Sequence, residues 1–374
     1  MKILIAVGTR PNFVKVTQFK KVAREMGDCD VKIVHTGQHY DRFMSGVFFD
    51  QFNLHPDYFL ALEAGNPAAQ LGEITTKMAN LIATVKPDII LVPGNGNSTL
   101  AAALAANKSG VPLGHLESGL RSFDKTESEE INRVVTDELS TIHFATEEAG
   151  CQNLTEAGID NSTVHFVGNT MIDTLVAYKE EIDNSKALEK LELSPSEYGI
   201  ITMHKPKYVD NSQGLTFLAN LLETLCDSRK YVLPLHPRTK KYIDLYGIRE
   251  RLDKIENLKI TWPLGYFAMQ RLVRDSAVVI TDSGGLQEES TFHGVPCLTL
   301  GDCTERPVTV EVGTNTLVPL DLDAITKAVK AQENRKGAIP KLWDGRATER
   351  ILNILVHGKT KLPGEDVLSK EQLN

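Results

Sequence analysis

Short apolar runs alternate with longer amphipathic segments along the chain. The runs lack the polar alternation of half-exposed strands, which is typical of strands buried on both faces of a parallel sheet. Between them, segments such as 68–85 and 98–108 have helical periodicity. This alternation predicts right-handed βαβ units in doubly wound sheets. The predicted strands cover residues 2–8, 31–37, 88–93, 111–117, 141–146, 164–168, 199–204, 231–236, 258–263, 277–282, 295–300 and 315–319.

The alternation stops once, near residues 169–198, where a charged helical stretch separates two series of strands. We therefore predict an α/β fold with two Rossmann-like domains, each a doubly wound parallel sheet, facing a central cleft. Ligands of such sheets bind at the carboxyl ends of the strands, so the cleft is the expected site. The predicted domains are residues 1–170 and 171–357, with a closing helix (344–357) that can pack back on the first domain, and a polar tail at 358–374.

Composition narrows the possible partners. A length of 374 residues suits two domains, and a formal net charge of −8 argues against a nucleic-acid partner, which requires a basic surface. No apolar stretch reaches the ~20 residues that a membrane span needs. The five scattered cysteines predict neither a disulfide framework nor a zinc site, which is typical of a cytoplasmic protein.

The first strand ends in a turn that can bind an anion. Gly8 permits a tight turn in GTRPNFVK, and Arg10 and Lys15 follow at the start of a helix. Two cations beside the free amides of a helix terminus favour a negatively charged ligand. The alternative is that both are ordinary surface cations on an exposed helix face.

A second predicted anion site follows the fourth strand of the C-terminal domain, in TDSGGLQEES. Ser283, Gly284 and Gly285 form a small-residue turn before a helix that starts near Leu286. Glycines let backbone amides approach a ligand, and a helix N-terminus favours negative charge, so we expect a diphosphate here. Glu289, one turn into the helix, can accept hydrogen bonds from ribose hydroxyls.

Cations and histidines at neighbouring strand ends extend this site. Arg306, in DCTERPV, can pair with phosphate, unless it and Glu305 form only a solvated loop. His204, followed by Lys205, ends the first strand of the domain, and His236 ends the next. Two histidines on adjacent strands favour ligand contact, and their spacing is not typical of a metal site.

Candidate acid/base groups lie in the N-terminal domain. Glu117 ends an apolar strand in GHLESGLRSFD, where a buried carboxyl facing a cleft can transfer protons. Glu129 and Glu130 open a helix in SEEINRVVTDELS, where the helix dipole alone is a sufficient explanation for them. Asn95 lies at a strand end in GNGNSTLAAALAA, in a position for a catalytic group.

Taken together, these motifs resemble the UDP-N-acetylglucosamine 2-epimerase family over residues 1–320. The match runs in order through GTRPNFVK, HTGQHYD, GNGNSTLA, GHLESGLRS, SEEINR, GNTMIDT, TMHK, HPRT, TDSGGLQEE and TERPV. The resemblance implies the two-domain fold of GT-B glycosyltransferases, a UDP-amino sugar substrate, no nicotinamide or metal cofactor, and a homodimer. It implies elimination of UDP across C1–C2, followed by protonation of the opposite face and re-addition.

The resemblance also assigns roles to residues. Glu117, Glu130 and the residue at position 95 match the family's catalytic carboxylates, and His204 joins them. The departing diphosphate needs fixed donors and cations, since charge develops there as the bond breaks. The full predicted set of UDP-sugar contacts is Arg10, Lys15, Arg133, His236, Phe267, Ser283, Gly284, Gly285, Glu289 and Arg306.

The sequence departs from the family at two places. The family has an aspartate where this chain has Asn95, natural or engineered, and an amide cannot exchange a proton at neutral pH. Lys205, Pro206 and Lys207 follow the histidine where the family has Arg-Arg or Arg-Ala and then Glu-Asn, which bears on the sugar specificity and on any allosteric substrate site. Three rivals stay open: a hydrolysing epimerase that releases UDP and free ManNAc, a GT-B glycosyltransferase, and a catalytically silent UDP-sugar binder.

Overall fold

A computed structural model describes residues 1–38, 49–63, 65–332 and 336–358. Residues 39–41 of the HTGQHYD motif lie outside the described residues, as does the predicted tail beyond residue 358. Within the described ranges, no helix is both long and apolar enough to cross a membrane.

The first sheet has seven parallel strands in the order β3-β2-β1-β4-β5-β6-β7. Its order reverses between β1 and β4, which is the switch point where doubly wound sheets bind ligands. The strands are β1 (Lys2–Val7), β2 (Asp30–His35), β3 (Tyr58–Phe59), β4 (Ile89–Pro93), β5 (Leu113–Leu116), β6 (Ile142–Ala145) and β7 (Val164–Phe166).

The second sheet has six parallel strands in the order β10-β9-β8-β11-β12-β13. Here the switch point lies between β8 and β11. The strands are β8 (Tyr198–Thr202), β9 (Lys230–Pro234), β10 (Leu258–Thr261), β11 (Val278–Thr281), β12 (Cys297–Leu300) and β13 (Asn315–Val318).

Helices connect the strands. Those of the first half are α1 (Arg10–Val14), α2 (Phe19–Met26), α3 (Pro67–Val85), α4 (Asn97–Lys108), α5 (Ser128–Leu139), α6 (Glu148–Glu156), α7 (Thr170–Ala177), α8 (Lys179–Asp183) and α9 (Ala187–Leu191). Those of the second half are α10 (Pro206–Val209), α11 (Ser212–Cys226), α12 (Pro237–Leu245), α13 (Arg249–Leu252), α14 (Tyr266–Arg274), α15 (Gly284–His293), α16 (Val308–Glu311), α17 (Leu322–Ala331) and α18 (Ala347–His357).

The predicted fold class is confirmed, and each of the twelve predicted strands is present. Two details differ from the sequence analysis. The short edge strand β3 was not predicted, because two residues give no periodicity to recognise. Helix α15 begins at Gly284 rather than near Leu286, so both glycines belong to the first helical turn.

The last helix packs on the first domain. Ile351, Leu352 and Ile354 of α18 belong to the same buried core as β1. Asp173 of α7 accepts hydrogen bonds from the first backbone amides of α18, at 3.0 Å from Ala347 and 2.6 Å from Thr348. This carboxylate satisfies amides that a helix N-terminus leaves without partners.

Candidate active site

An ion pair between Lys15 and Glu117 lies where the carboxyl ends of the central strands of the first sheet meet. Lys15 follows α1, Glu117 follows β5, and the Nζ–Oε2 distance is 2.5 Å. Gly94, which follows β4, passes so close that an added Cβ would lie 3.1 Å from Lys15 Nζ. Its φ of +71° also favours glycine. Both charged side chains are almost completely buried, so the pair faces little solvent.

The backbone at Glu117 is held in an uncommon conformation. Its φ is 67°, in the left-handed region, which costs a non-glycine residue about 1–3 kcal/mol. The turn after it is fixed by Asp137 of α5, which accepts from the Ser118 hydroxyl and, at 3.2 Å, from the Gly119 amide. We infer that the buried carboxylate of Asp137 offsets this cost and holds Glu117 in position.

Asp137 also supports the neighbouring loop through His115 of β5. His115 Nδ1 lies 2.6 Å from Asp137 Oδ1, and its Nε2 lies 2.8 Å from the Gly94 carbonyl oxygen. The Arg121 guanidinium completes the cluster, 2.6 Å from Asp137 Oδ2. Burial opposes ionisation of Asp137, but His115 and Arg121 outweigh it and hold the pKa of this carboxyl well below its usual range.

Asn95 lies in the loop that this cluster supports. Its backbone carbonyl accepts a hydrogen bond from Asn132 Nδ2 of α5 at 3.0 Å, and the same amide group reaches Asn97 Oδ1 at 3.2 Å. The side chain of Asn95 is partly exposed. The loop is therefore fixed by its backbone, independently of the chemistry of the side chain at position 95.

Glu130 is engaged on both oxygens. Its Oε2 accepts from the Ser122 amide at 2.9 Å and from Arg133 Nη1 at 2.9 Å, and its Oε1 accepts from the Phe123 amide at 3.2 Å. Arg133 in turn donates to Glu305 of the second domain at 2.8 Å. In this conformation Glu130 fixes the loop at Ser122 and Phe123 and holds Arg133, which connects the two domains. Proton transfer by Glu130 would therefore require it to exchange one of these hydrogen bonds.

Arg306 is the central cation of the second domain. Its Nη1 donates to Glu305 at 2.8 Å, its Nε lies 2.9 Å from Glu288 Oε1, and its Nη2 lies 3.9 Å from Glu117 Oε2. A Cβ added at Gly284 would lie only 2.4 Å from Arg306 Nη1. The glycine therefore allows the guanidinium to lie against the N-terminus of α15, the expected anion site.

Burial raises the pKa of carboxyl groups, and the nearby cations counteract it to different extents. For Glu117 the charges of Lys15, Arg306 and Arg133 outweigh burial, so its pKa lies below the usual value. For Glu305 two guanidinium groups lower the pKa to about 2 despite burial. For Glu288 burial prevails over Arg306, and its pKa is raised. The site thus contains carboxyls whose pKa is lowered, Glu117 and Glu305, beside one whose pKa is raised, Glu288.

Histidines and further cations line the opposite wall of the cleft. His204 Nδ1 lies 2.7 Å from Asp282 Oδ1, and this contact outweighs burial and raises the pKa of His204. His236 lies beside it, with ring centroids 5.3 Å apart. Burial, together with the charges of His204 and Arg10, lowers the pKa of His236 to about 4. Arg10 reaches across the cleft and donates to the Leu264 carbonyl at 3.1 Å.

Two predicted contacts occupy different surroundings. Glu289 of α15 is buried, and burial raises its pKa to about 8, while Gln270 and Tyr266 lie against it. Phe267 of α14 packs in an aromatic cluster between the domains, with ring centroids 5.5 Å from Phe52. It also lies 5.4 Å from the Tyr178 ring. The structure therefore places Phe267 where the two halves of the chain meet.

Several residues that the sequence analysis did not single out belong to the site. Asp137, His115, Glu288, Asp282 and Asn132 are all buried polar groups. Each of these residues is a charged or polar side chain on a helix face or strand end that is otherwise buried. This pattern could have marked them, because buried polar groups need hydrogen-bond partners. Their partners lie far away along the chain, so the pattern alone could not say what they support.

Comparison with known proteins agrees with this geometry. The family model described as UDP-N-acetylglucosamine 2-epimerase matches residues 21–356. The UDP-N-acetylglucosamine 2-epimerase of Methanocaldococcus jannaschii is 37% identical over 373 residues, which cover 96% of this chain and 100% of the relative. The chain belongs to the UDP-N-acetylglucosamine 2-epimerase family. The resemblance found in the motifs is thereby confirmed.

Other members of the family extend the comparison. The crystal structure of the M. jannaschii enzyme in complex with UDP-GlcNAc and UDP superposes with a TM-score of 0.88 at 35% identity, over 95% of this chain and 99% of that one. A UDP-2,3-diacetamido-2,3-dideoxy-D-glucuronate 2-epimerase from Pseudomonas aeruginosa is 36% identical over 88% of this chain and 92% of the relative. The family therefore includes proteins named for different UDP-amino sugars.

Replacing Lys15 tests the charge balance of the site. Lys15→Met removes the nearest cation of buried Glu117 and leaves it with the more distant Arg306 and Arg133. Loss of one partner from a buried pair typically costs about 3–5 kcal/mol. We expect the free energy of unfolding to fall by up to about this amount at pH 8, and by less at pH 5, because Glu117 can then take up a proton. Urea denaturation at both pH values measures this. Lys15→Arg is the control, and an equal loss at both pH values would contradict the prediction.

Proposed function

We propose that this chain interconverts UDP-GlcNAc and UDP-ManNAc, or a closely related pair of UDP-amino sugars, by elimination and re-addition of UDP. The observation that carries the proposal is the arrangement around Arg306. A cation fixed at a helix N-terminus faces a buried, ionised Glu117 across the cleft. This arrangement joins an anion site to a base, as the elimination requires.

The reaction balances without a metal or nicotinamide. The C1–O bond breaks and UDP leaves with the bonding electrons, so positive charge develops on the ring and acidifies the C2 proton. A base removes that proton, and the C1–C2 double bond of an acetamidoglucal forms. Protonation of C2 on the opposite face and return of UDP to C1 then give the epimer.

The second domain supplies the groups that stabilise the leaving diphosphate. We infer that residues 171–357 bind UDP, through the 283–285 turn, Arg306 and His204, and that residues 1–170 supply the sugar and acid/base side. His204 suits an anion because Asp282 raises its pKa and favours its charged form. Donors that are already fixed in place stabilise developing charge without a cost for reorganisation.

We assign the proton abstraction to Glu117, whose low pKa keeps it ionised and whose Oε1 is buried without a hydrogen-bond partner among the described residues. The opposite face needs a second group. Glu130 can serve if it exchanges one of its hydrogen bonds for the substrate. Asn95 cannot transfer a proton, and we therefore expect it to orient the sugar.

The rival functions differ in their products. A proton NMR time course with UDP-GlcNAc should show UDP-ManNAc accumulating. Free ManNAc together with UDP would identify a hydrolysing epimerase, and transfer to an added acceptor a GT-B glycosyltransferase. Unchanged substrate despite measurable binding would identify a silent binder.

Asn95→Asp tests the acid/base assignment. Binding depends on diphosphate and uridine contacts, whereas proton transfer loses one carboxylate at position 95. We expect the substitution to raise kcat about 10²–10⁴-fold, the usual contribution of a positioned acid or base, with little change in KM. The NMR assay measures this. An unsubstituted chain that already turns over at about 1–10³ s⁻¹ would contradict the hypothesis and leave Glu117 and Glu130 to share both transfers.

Glu289 tests the location of the ribose. Its pKa of about 8 keeps the carboxyl largely protonated at neutral pH, so Glu289→Gln should preserve its hydrogen bonds. Glu289→Ala should weaken UDP binding by about 1–3 kcal/mol. Calorimetry with UDP distinguishes the two variants. Equal affinity in Glu289→Ala and the unsubstituted chain would exclude Glu289 from the ribose site.

We also propose that the protein is a cytoplasmic homodimer. All five cysteines are free, which suits a reducing compartment. Helix α5 presents an apolar stripe at helical spacing, formed by Ile131, Val134 and Val135, which are 44%, 43% and 36% exposed. Such stripes are typical of protein interfaces. The same helix carries the buried Glu130 and Arg133 of the site.

Val134→Asp tests the dimer. A charge in the middle of the stripe should shift the sedimentation velocity profile from dimer towards monomer, because an unpaired charge in an apolar interface is costly. Leu245→Asp, at a similarly exposed apolar position on α12, is the control and should leave the profile unchanged. If the Val134→Asp variant is still a dimer, the interface does not involve this stripe of α5.

A further inference from the structure

Arg306 is already neutralised before any anion arrives. Glu305 accepts its hydrogen bond, Glu288 lies 2.9 Å from its Nε, and Glu117 lies 3.9 Å from its Nη2. The guanidinium is buried against Gly284 at the N-terminus of α15. A diphosphate that binds there must compete with these carboxylates for the same cation.

The charge of the whole buried cluster sharpens this competition. Three cations, Lys15, Arg133 and Arg306, are connected through ion pairs to four carboxylates: Glu117, Glu130, Glu288 and Glu305. The cluster therefore has an excess of negative charge when all its members are ionised. A diphosphate adds two further negative charges, and uncompensated charge in a buried site costs several kcal/mol. A proton taken up by one carboxyl is the simplest compensation.

We propose that Glu288 takes up this proton when a nucleotide diphosphate binds, and that the change releases Arg306 to the ligand. The proposal rests on the proposed function, since it requires a diphosphate beside α15. The proton comes from solvent, the Glu288 carboxylate becomes a carboxylic acid, and no other bond changes. Glu288 is thus a positioning residue that acts through Arg306.

The geometry favours Glu288 over the other carboxylates. Glu305 is bonded to two guanidinium groups, Glu117 is paired with Lys15, and Glu130 accepts from both backbone and Arg133. Glu288 is completely buried, its Oε1 has one ion pair, with Arg306 Nε at 2.9 Å, and its Oε2 has no partner among the described residues. Burial already raises its pKa.

Other charged groups surround Glu288 on several elements. They are Lys15 and Glu117 from the first domain, Glu147 before α6, Arg306 and Glu305 from the loop after β12, and Glu289 on its own helix. Glu147 is the serious competitor for the proton, because burial and the charge of Glu288 raise its pKa to about 8. Its Oε1 accepts from the Val308 amide at 3.4 Å, whereas its Oε2 is buried without a partner among the described residues.

Calorimetric titration with UDP-GlcNAc tests the proposal. A nucleotide sugar is preferable to UDP because its diphosphate has no proton to exchange near neutral pH. Titrations in buffers of different ionisation enthalpy, between about pH 6 and about pH 9, should show uptake of up to one proton. The affinity should fall by up to about tenfold per pH unit towards the alkaline end.

Single substitutions locate the proton. Glu288→Gln should take up one proton fewer than the unsubstituted chain and bind more tightly at about pH 9, while any pH dependence that comes from His204 or Glu289 should remain. Glu147→Gln and Asp302→Asn, a solvent-exposed acid in the loop of Arg306, should keep the pH dependence. If Glu288→Gln does not fold, persistence of the proton uptake in Glu147→Gln, Glu289→Gln and His204→Gln still supports Glu288, because these variants remove the other groups of the site whose pKa is raised.

The contrary outcomes are distinct. Binding of UDP-GlcNAc by the unsubstituted chain without proton uptake would overturn this inference and leave the proposed function standing. Loss of the proton uptake in Glu147→Gln, with its persistence in Glu288→Gln, would move the proton to Glu147 and also overturn it. Absence of any UDP-GlcNAc binding would overturn both proposals.

Discussion

The balance of charge around Arg306 is the constraint on which the cleft depends. The guanidinium lies between Glu117 of the first domain and Glu288 and Glu305 of the second, and Arg133 extends the network to Glu130. In a buried site, removal of one member leaves another charge uncompensated. The arrangement of the domains, the ionisation of these carboxyls and the affinity for an anion are therefore linked, because a change in any one of them changes the electrostatic field at Arg306.

A second, neutralised cluster keeps this network in position. Asp137 and His115 connect α5 with the loops that carry Asn95 and Glu117. Both residues can therefore position the site without contacting a ligand. The left-handed backbone of Glu117 indicates that these loops are held against their local preference. Buried polar partners thus hold the loops of Asn95 and Glu117 in place, and proton transfer demands accurate distances.

The sequence supported strong inferences about features that repeat or lie close together along the chain. The parallel sheets followed from apolar runs, and Glu117 stood out as a carboxyl at the end of such a run. The partnership of Arg133 with Glu305 joins residues far apart in the chain, and no local pattern encodes it. Glu288 looked like any glutamate of a helix, since only tertiary packing removes it from solvent. Phe267 shows the same limit, because its neighbours Phe52 and Tyr178 come from the other half of the chain.

The return of α18 to the first domain has a mechanical consequence. The chain stays in the core of the first domain as far as Ile182 of α8. It comes back at Trp343, whose indole nitrogen donates to the Thr146 carbonyl, and at Arg350, which donates to the Val167 carbonyl. The second sheet is therefore tethered at two points rather than at the end of a single linker. A domain connected at two points can mainly rotate about the line that joins them. We therefore expect the cleft to open by a hinge rotation of the second domain about this line, with little translation or twisting.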